Sequence, residues 1–122
     1  MSLVPVWRVV VQVPVDALPV VREAILAVDS LQAGGYDQGL FEEAAGIEQF
    51  RPMPGTTPAH GRAGERSRIP SVRLGFYLPP DAGRLQKLLD EGVLPAHPWH
   101  CPVVEVSEVS LWLANGSRAE VS

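Results

Sequence analysis

Apolar and polar residues alternate most regularly between Val6 and Val15. Trp7, Val9, Val11 and Val13 fall on one side and Val6, Arg8, Val10 and Gln12 on the other. Period-two patterning with so many β-branched residues predicts a strand, central in its sheet and wholly apolar on one face. The period then lengthens. Leu18, Val21, Ile25 and Val28 recur at three- and four-residue intervals, with Arg22, Glu23 and Asp29 off that stripe, which predicts an amphipathic helix lying on the sheet. Asp16 is placed to cap this helix, and Pro19 is tolerated in its first turn.

Gly34-Gly35 is expected to stop the helix and start a short strand, Tyr36 to Glu43. Ala45-Gly46 then turns the chain into a second short piece ending at Phe50. Residues 51–64 hold too many Pro and Gly for helix or strand, so an ordered, turn-rich loop is expected there. A long strand follows, with Val72, Leu74, Phe76 and Leu78 inward and Ser71, Arg73 and Tyr77 outward. Pro70 lacks a backbone donor, which assigns that part of the strand to an edge or a bulge. Asp81 is placed to cap a second helix that turns Leu85, Leu88 and Leu89 inward and closes at Gly92. In a last strand, from about Pro102 to Leu113, the apolar positions move from Val104 and Val106 to Val109, Leu111 and Leu113. That change of parity predicts a bulge near Ser107-Glu108.

This order of elements is two βαβ halves. Right-handed crossovers put both helices on one face of a four-stranded antiparallel sheet, so the expected class is α+β, ferredoxin-like, with an extra short hairpin and ordered loop in the middle. The opposite face offers Val6, Val10, Tyr77, Val103 and Trp112, and an apolar sheet face needs cover. A second subunit or the central loop is expected to supply it. At 122 residues the chain is expected to be one domain, with its core in 6–113 and a loose tail in 114–122.

Charge narrows the function classes. The net charge is −4 and Lys87 is the sole lysine, which argues against a broad nucleic-acid footprint. Arg51, Arg62, Arg66, Arg68 and Arg73 crowd into one third of the chain; guanidinium forks suit anions, but a solvated face is the plainer reading. No apolar run approaches the roughly 20 residues that span a bilayer. The N-terminus does not read as a secretory signal, and a single cysteine, Cys101, excludes an intramolecular disulfide. A cytoplasmic setting with no membrane partner is therefore expected.

The run Tyr36-Asp37-Gln38, Phe41, Gly46, Gln49-Phe50-Arg51-Pro52, Pro54-Gly55, Pro58, Gly61, followed by His97-Pro98-Trp99, resembles the insert domain of the NIF-three-like proteins and its short stand-alone relatives. The resemblance spans residues 6–113. It implies a fold similar to the CutA cation-tolerance proteins and, more distantly, the PII signalling proteins, and a tendency to self-associate. It further implies that the two-metal centre of full-length relatives lies in flanking domains outside this stretch, so metal-dependent hydrolysis does not carry over. In the family the second signature reads His-Pro-Tyr-Glu-Glu-Pro, where this chain has Trp99, His100 and Cys101. An acidic residue two positions before the arginine matching Arg68 is replaced by Arg66.

His97, His100 and Cys101 form the one compact group with metal-ligand chemistry. Imidazole and thiolate suit zinc or copper, and a fourth ligand would come from His60, a carboxylate or another subunit. Adjacent strand residues point to opposite faces, so a shared metal requires a kink at Pro98 or Pro102. The alternative is packing and turn formation, with His97 bonding the last carbonyls of the preceding helix. Cys101 as a nucleophile needs a nearby base in good geometry, which adjacency to His100 does not provide. Glu42, Glu43 and Glu48 read as a solvated rim, and Gly34-Gly35 is not a phosphate loop.

Two functions remain. The first is a non-enzymatic, homo-oligomeric (dimer or trimer) ligand-binding or regulatory module. Its pocket would lie between the central loop and the 97–102 corner, with Tyr36, Asp37, Phe50, Arg51, His60, His97 and Trp99 as binding residues. The second is a divalent-metal-binding protein using His97, His100 and Cys101 with zinc or copper. No catalytic residue is assigned in either.

Overall fold

The β-branched run forms one long strand, β1, Ser2–Pro14, which begins earlier than its alternation suggests. The computed structural model describes residues 2–114. The chain continues through a 3₁₀ turn, Val15–Ala17, into helix α1, Leu18–Val28. Short strands β2 (Phe41–Glu42) and β3 (Gly46–Phe50) precede the long β4 (Ser67–Leu78). Helix α2, Ala82–Leu88, runs on through a π turn, Leu89–Val93, and a last helical turn, Leu94–Ala96. Strand β5, Val104–Leu113, completes a five-stranded sheet in which β1 lies between β4 and β5 while β2 and β3 share the far edge of β4. All pairings are antiparallel. The class is α+β with CutA-like, ferredoxin-like topology, as the order of elements predicts.

Register puts opposite residues on the same face. Val9, Val11 and Val13 oppose Phe76, Leu74 and Val72, and all six are buried. Against them pack Val21 and Ile25 of α1 with Leu88 and Val93 of the second helix. Burying each such side chain contributes about 1.5–3 kcal/mol, so this layer is the main source of stability.

Gly92 is no helix terminator. The helix passes through it, because a Cβ there would stand 3.3 Å from the Ala24 carbonyl oxygen and 3.5 Å from the Ile25 Cα. Its missing side chain lets the two helices approach. Pro95 lacks an N–H, and the ladder just before it widens so that the Leu94 amide bonds the Leu89 carbonyl. Asp81 caps α2 as expected, accepting from the Arg84 amide at 3.1 Å. Asp16 does not cap α1; it sits in the 3₁₀ turn, and the cap position is Ala17. Helix α1 ends at Val28, well before Gly34, because Asp29 turns the backbone extended.

The expected strand from Tyr36 to Glu43 shrinks to Phe41–Glu42, and Tyr36 instead closes a turn with Ala33. The predicted bulge at Ser107-Glu108 is absent: pairing runs unbroken from Ser2 opposite Leu113 to Val11 opposite Val104. The parity of apolar residues changes for another reason. Before Trp7, over residues 2–6, β1 has no β4 partner and pairs β5 alone, so these strands form a two-stranded arm. Near the core Val104 and Val106 face the helices; on the arm Val109 and Leu111 face the other way with Val6 and Val4. Trp112, opposite Leu3, therefore lies on the helix side of the sheet and not on the open face.

Pro70 occurs where β1 has already ended, so one side of β4 there has no strand to donate to. On the open face Arg73 reaches across β1 to Glu105 at 2.9 Å and back to Glu43 at 3.1 Å. This bridge passes the position of Val10, which is 1% exposed although no helix covers it. The tail, Asn115 to Ser122, lies outside the described residues.

Candidate functional site

The central loop and the corner after the second helix close over one end of the open sheet face. Between them is a cleft of about 370 Å³. Its floor is Gln12, Glu48 and Phe50; the loop contributes Pro52, Pro58 and His60, and the corner Trp99, His100 and Cys101. Alternation along β3 explains the floor, because Glu48 and Phe50 are two residues apart and share a face. The loop holds its shape by internal turns: the Gly64 amide donates to the Pro52 carbonyl at 2.6 Å and the Thr56 hydroxyl to the Met53 carbonyl at 2.7 Å. Gly61 has φ +79°, and a Cβ there would meet the Ser67 hydroxyl at 2.6 Å, so the loop lies hard against the start of β4.

Aromatic rings join loop, strand and corner. Phe50 and Trp99 meet edge to face with centroids 5.0 Å apart, and Phe50 and His60 at 6.2 Å. Such edge-to-face contacts add about 0.5–1.5 kcal/mol beyond burial. Behind Trp99 sits His97, 7% exposed. Its Nε2–H donates to the Gln12 carbonyl at 2.8 Å, and its Nδ1 accepts from the Trp99 amide at 3.1 Å. Burial pushes the imidazole pKa down, only partly offset by the Gln12 bond and the Glu48 charge. The neutral ring fits these partners; a proton on Nδ1 would face another donor.

These contacts revise two expectations for His97. Its imidazole bonds the first strand, and only its backbone amide reaches its own helix, donating to the Val93 carbonyl at 2.8 Å. It also has neither nitrogen left for a metal, and among the described residues no three His, Cys, Asp or Glu side chains converge as a cation site. His100 and Cys101 line the cleft, and Cys101 is an exposed free thiol.

Of the other residues singled out from the sequence, Phe50, His60 and Trp99 come together around the cleft. Arg51 is exposed and does not line it. Tyr36 is 82% exposed on a separate turn, with Asp37 beside it. Glu48 is half-buried in the cleft lining, with its Oε1 closed off from solvent and without a hydrogen-bond partner among the described residues. Glu42 and Glu43 are paired with Arg22 and Arg73. Gln12 was missed as a lining residue, although a lone amide in a β-branched run is a visible signal.

No protein-family model matches this chain, and no curated protein sequence does. Solved structures do. A Bacillus cereus protein related to NIF3 superposes with a TM-score of 0.69 at 25% identity, over 89% of this chain and 27% of that protein. The CutA protein of Xylella fastidiosa gives a TM-score of 0.61 at 11% identity, over 92% of this chain and 90% of that one. The divalent cation tolerance protein CutA1 of Thermus thermophilus gives 0.54 at 17%, over 91% and 86%. The chain resembles a CutA-like domain of NIF3-related proteins. It spans about a quarter of the Bacillus cereus protein's length, and the CutA likeness concerns the fold alone. Among the described residues no helix is long and apolar enough to cross a membrane.

Proposed function

We propose that this CutA-like domain is a non-enzymatic, self-associating ligand-binding module whose ligand seats in the cleft between the central loop and the Trp99 corner. The observation that carries this reading is the cleft itself: about 370 Å³, largely apolar, with Phe50 and Trp99 in its lining beside a few polar residues. Pockets of this size and lining are where small molecules bind. The described residues offer no nucleophile with a base in bonding geometry: Cys101 has no hydrogen-bond partner among the contacts seen, and His97 is spent on structure.

Self-association is supported by the arm. Leu3 is 67% exposed and Trp112, its cross-strand partner, 59% exposed, while β5 leaves one edge unpaired over ten residues. Exposed apolar pairs beside a free strand edge favour contact with another sheet.

The neutral dye N-phenyl-1-naphthylamine tests the cleft directly. Saturable fluorescence gain with one site per chain, lost in Ala59→Phe, which fills the cleft from an exposed backbone position, is the expected result. Equal dye binding by the wild type and Ala59→Phe would overturn the assignment.

A further inference from the structure

The cleft contains one unresolved polar group. Glu48 is half-buried in the lining, and one of its carboxylate oxygens, Oε1, has no hydrogen-bond partner among the described residues, so a ligand donor at this carboxylate would meet a charge that the protein leaves uncompensated. No lysine or arginine lines the cleft to neutralise it. Arg73, a cation on this face, is already divided between Glu43 and Glu105. The neutral lining is aromatic, with Phe50 held edge to face against both Trp99 and His60, and ring faces carry the negative side of the aromatic quadrupole. An anionic ligand would meet a carboxylate and aromatic rings, and an uncharged one would leave the Glu48 carboxylate without a counter-charge.

From this we infer that the site selects organic cations, specifically a protonated amine or guanidinium carried on an apolar or aromatic body. The inference rests on the cleft being the binding site and adds the charge class of its ligand. The ammonium N–H donates to the Glu48 carboxylate, the cation lies against Trp99 and Phe50, and the apolar body fills the space under Pro52 and Pro58. Gln12, which also lines the cleft, offers a second polar partner for an amine.

Three compounds of one size separate the possibilities: phenethylammonium, neutral 2-phenylethanol and anionic 3-phenylpropanoate. Each is used to displace N-phenyl-1-naphthylamine and is titrated directly by calorimetry at about pH 8, where imidazole is ordinarily neutral. The cation is expected to bind about tenfold more tightly than the alcohol, as one charge-assisted bond provides, and the anion least. In Glu48→Gln the dye still binds and the cation's advantage falls to about twofold or less. That variant removes a half-buried charge with no cation beside it in the lining and keeps the side chain's shape, so its melting temperature is expected to equal or exceed the wild type's. Dye binding with equal affinity for all three compounds, or preference for the anion, overturns the cation assignment while leaving the cleft intact. Cation preference unchanged in Glu48→Gln overturns it too. Absence of both dye binding and any calorimetric signal removes cleft and cation together.

Discussion

Arg84 grips Asp29 with two parallel bonds, Nε to Oδ2 at 2.6 Å and Nη2 to Oδ1 at 2.7 Å, and so ties the end of α1 to the start of α2 across 55 residues of chain. Asp29 Oδ1 also accepts from the Leu31 amide at 2.9 Å, which holds Leu31 at φ +56°. A left-handed leucine costs about 1–2 kcal/mol, and burying its side chain returns a similar amount. Burial alone would raise the Asp29 pKa, but the Arg84 pair and the Leu31 amide together hold it below the ordinary carboxylate value. The side chains are only 10% and 24% exposed, so this pair is not a screened surface contact.

Breaking that pair is expected to destabilise the fold strongly. Arg84→Ala strands a half-enclosed carboxylate and should cost about 2–4 kcal/mol in urea unfolding. Since the folded pKa of Asp29 is depressed, its contribution is fully present above the unfolded value and is lost as pH falls through the folded one. Arg84→Ala should therefore flatten the acid limb of the stability profile. An unchanged acid limb would show the pair to be energetically idle.

His97 gives a second, separate pH signature. Its folded pKa is lowered from 6.5, so the folded state holds fewer protons than the unfolded chain just below that pH. Stability is complete above about pH 6.5 and declines as pH drops toward the folded pKa. His97→Phe should abolish this slope and, by orphaning the Gln12 carbonyl and Trp99 amide, cost about 2–3 kcal/mol at neutral pH. Chemical denaturation at several pH values reads both effects.

Gly92 tests how tightly the helices are packed. Alanine gains about 1 kcal/mol in helix propensity but sets a methyl 3.3 Å from the Ala24 carbonyl, so Gly92→Ala should lie within about 1 kcal/mol of the wild type. Gly92→Leu has no such compensation and should lose about 3 kcal/mol, or fail to fold. Matched thermal melts of the two variants distinguish a packing role from a chain-reversing one.

The arm predicts its own phenotype. Replacing Leu3 and Trp112 by lysine removes an exposed apolar pair that the core does not use. Sedimentation should show the double variant as monomer, with melting little changed, where the wild type associates. Identical sedimentation of both would place any self-association elsewhere.

Much of this architecture was legible because burial follows simple periods. Val9, Val11 and Val13 announce a core strand by alternation, and Leu88 a buried helix stripe by its spacing. What misled the reading was local shorthand. Gly92 resembles a helix stop, yet its role depends on Ala24 and Ile25, 67 and more residues away in sequence. The parity change in β5 resembles a bulge, yet it records where β4 stops pairing with β1. The cleft was anticipated in position because loop and corner are both chain reversals rich in proline. Glu48 is half-buried, less exposed than an acidic residue in a turn-rich stretch suggests, because its alternation with Phe50 sets it in the cleft lining.

The central claim is that ligands enter the cleft between Phe50 and Trp99, and amide-resolved NMR of the labelled protein titrated with 2-phenylethanol and then phenethylammonium tests it most directly. Shifts confined to Phe50, Ala59, His60, Trp99 and Val103, saturating and absent in Ala59→Phe, are the predicted result. Shifts centred on Leu3 and Trp112, or scattered without saturation, would contradict it.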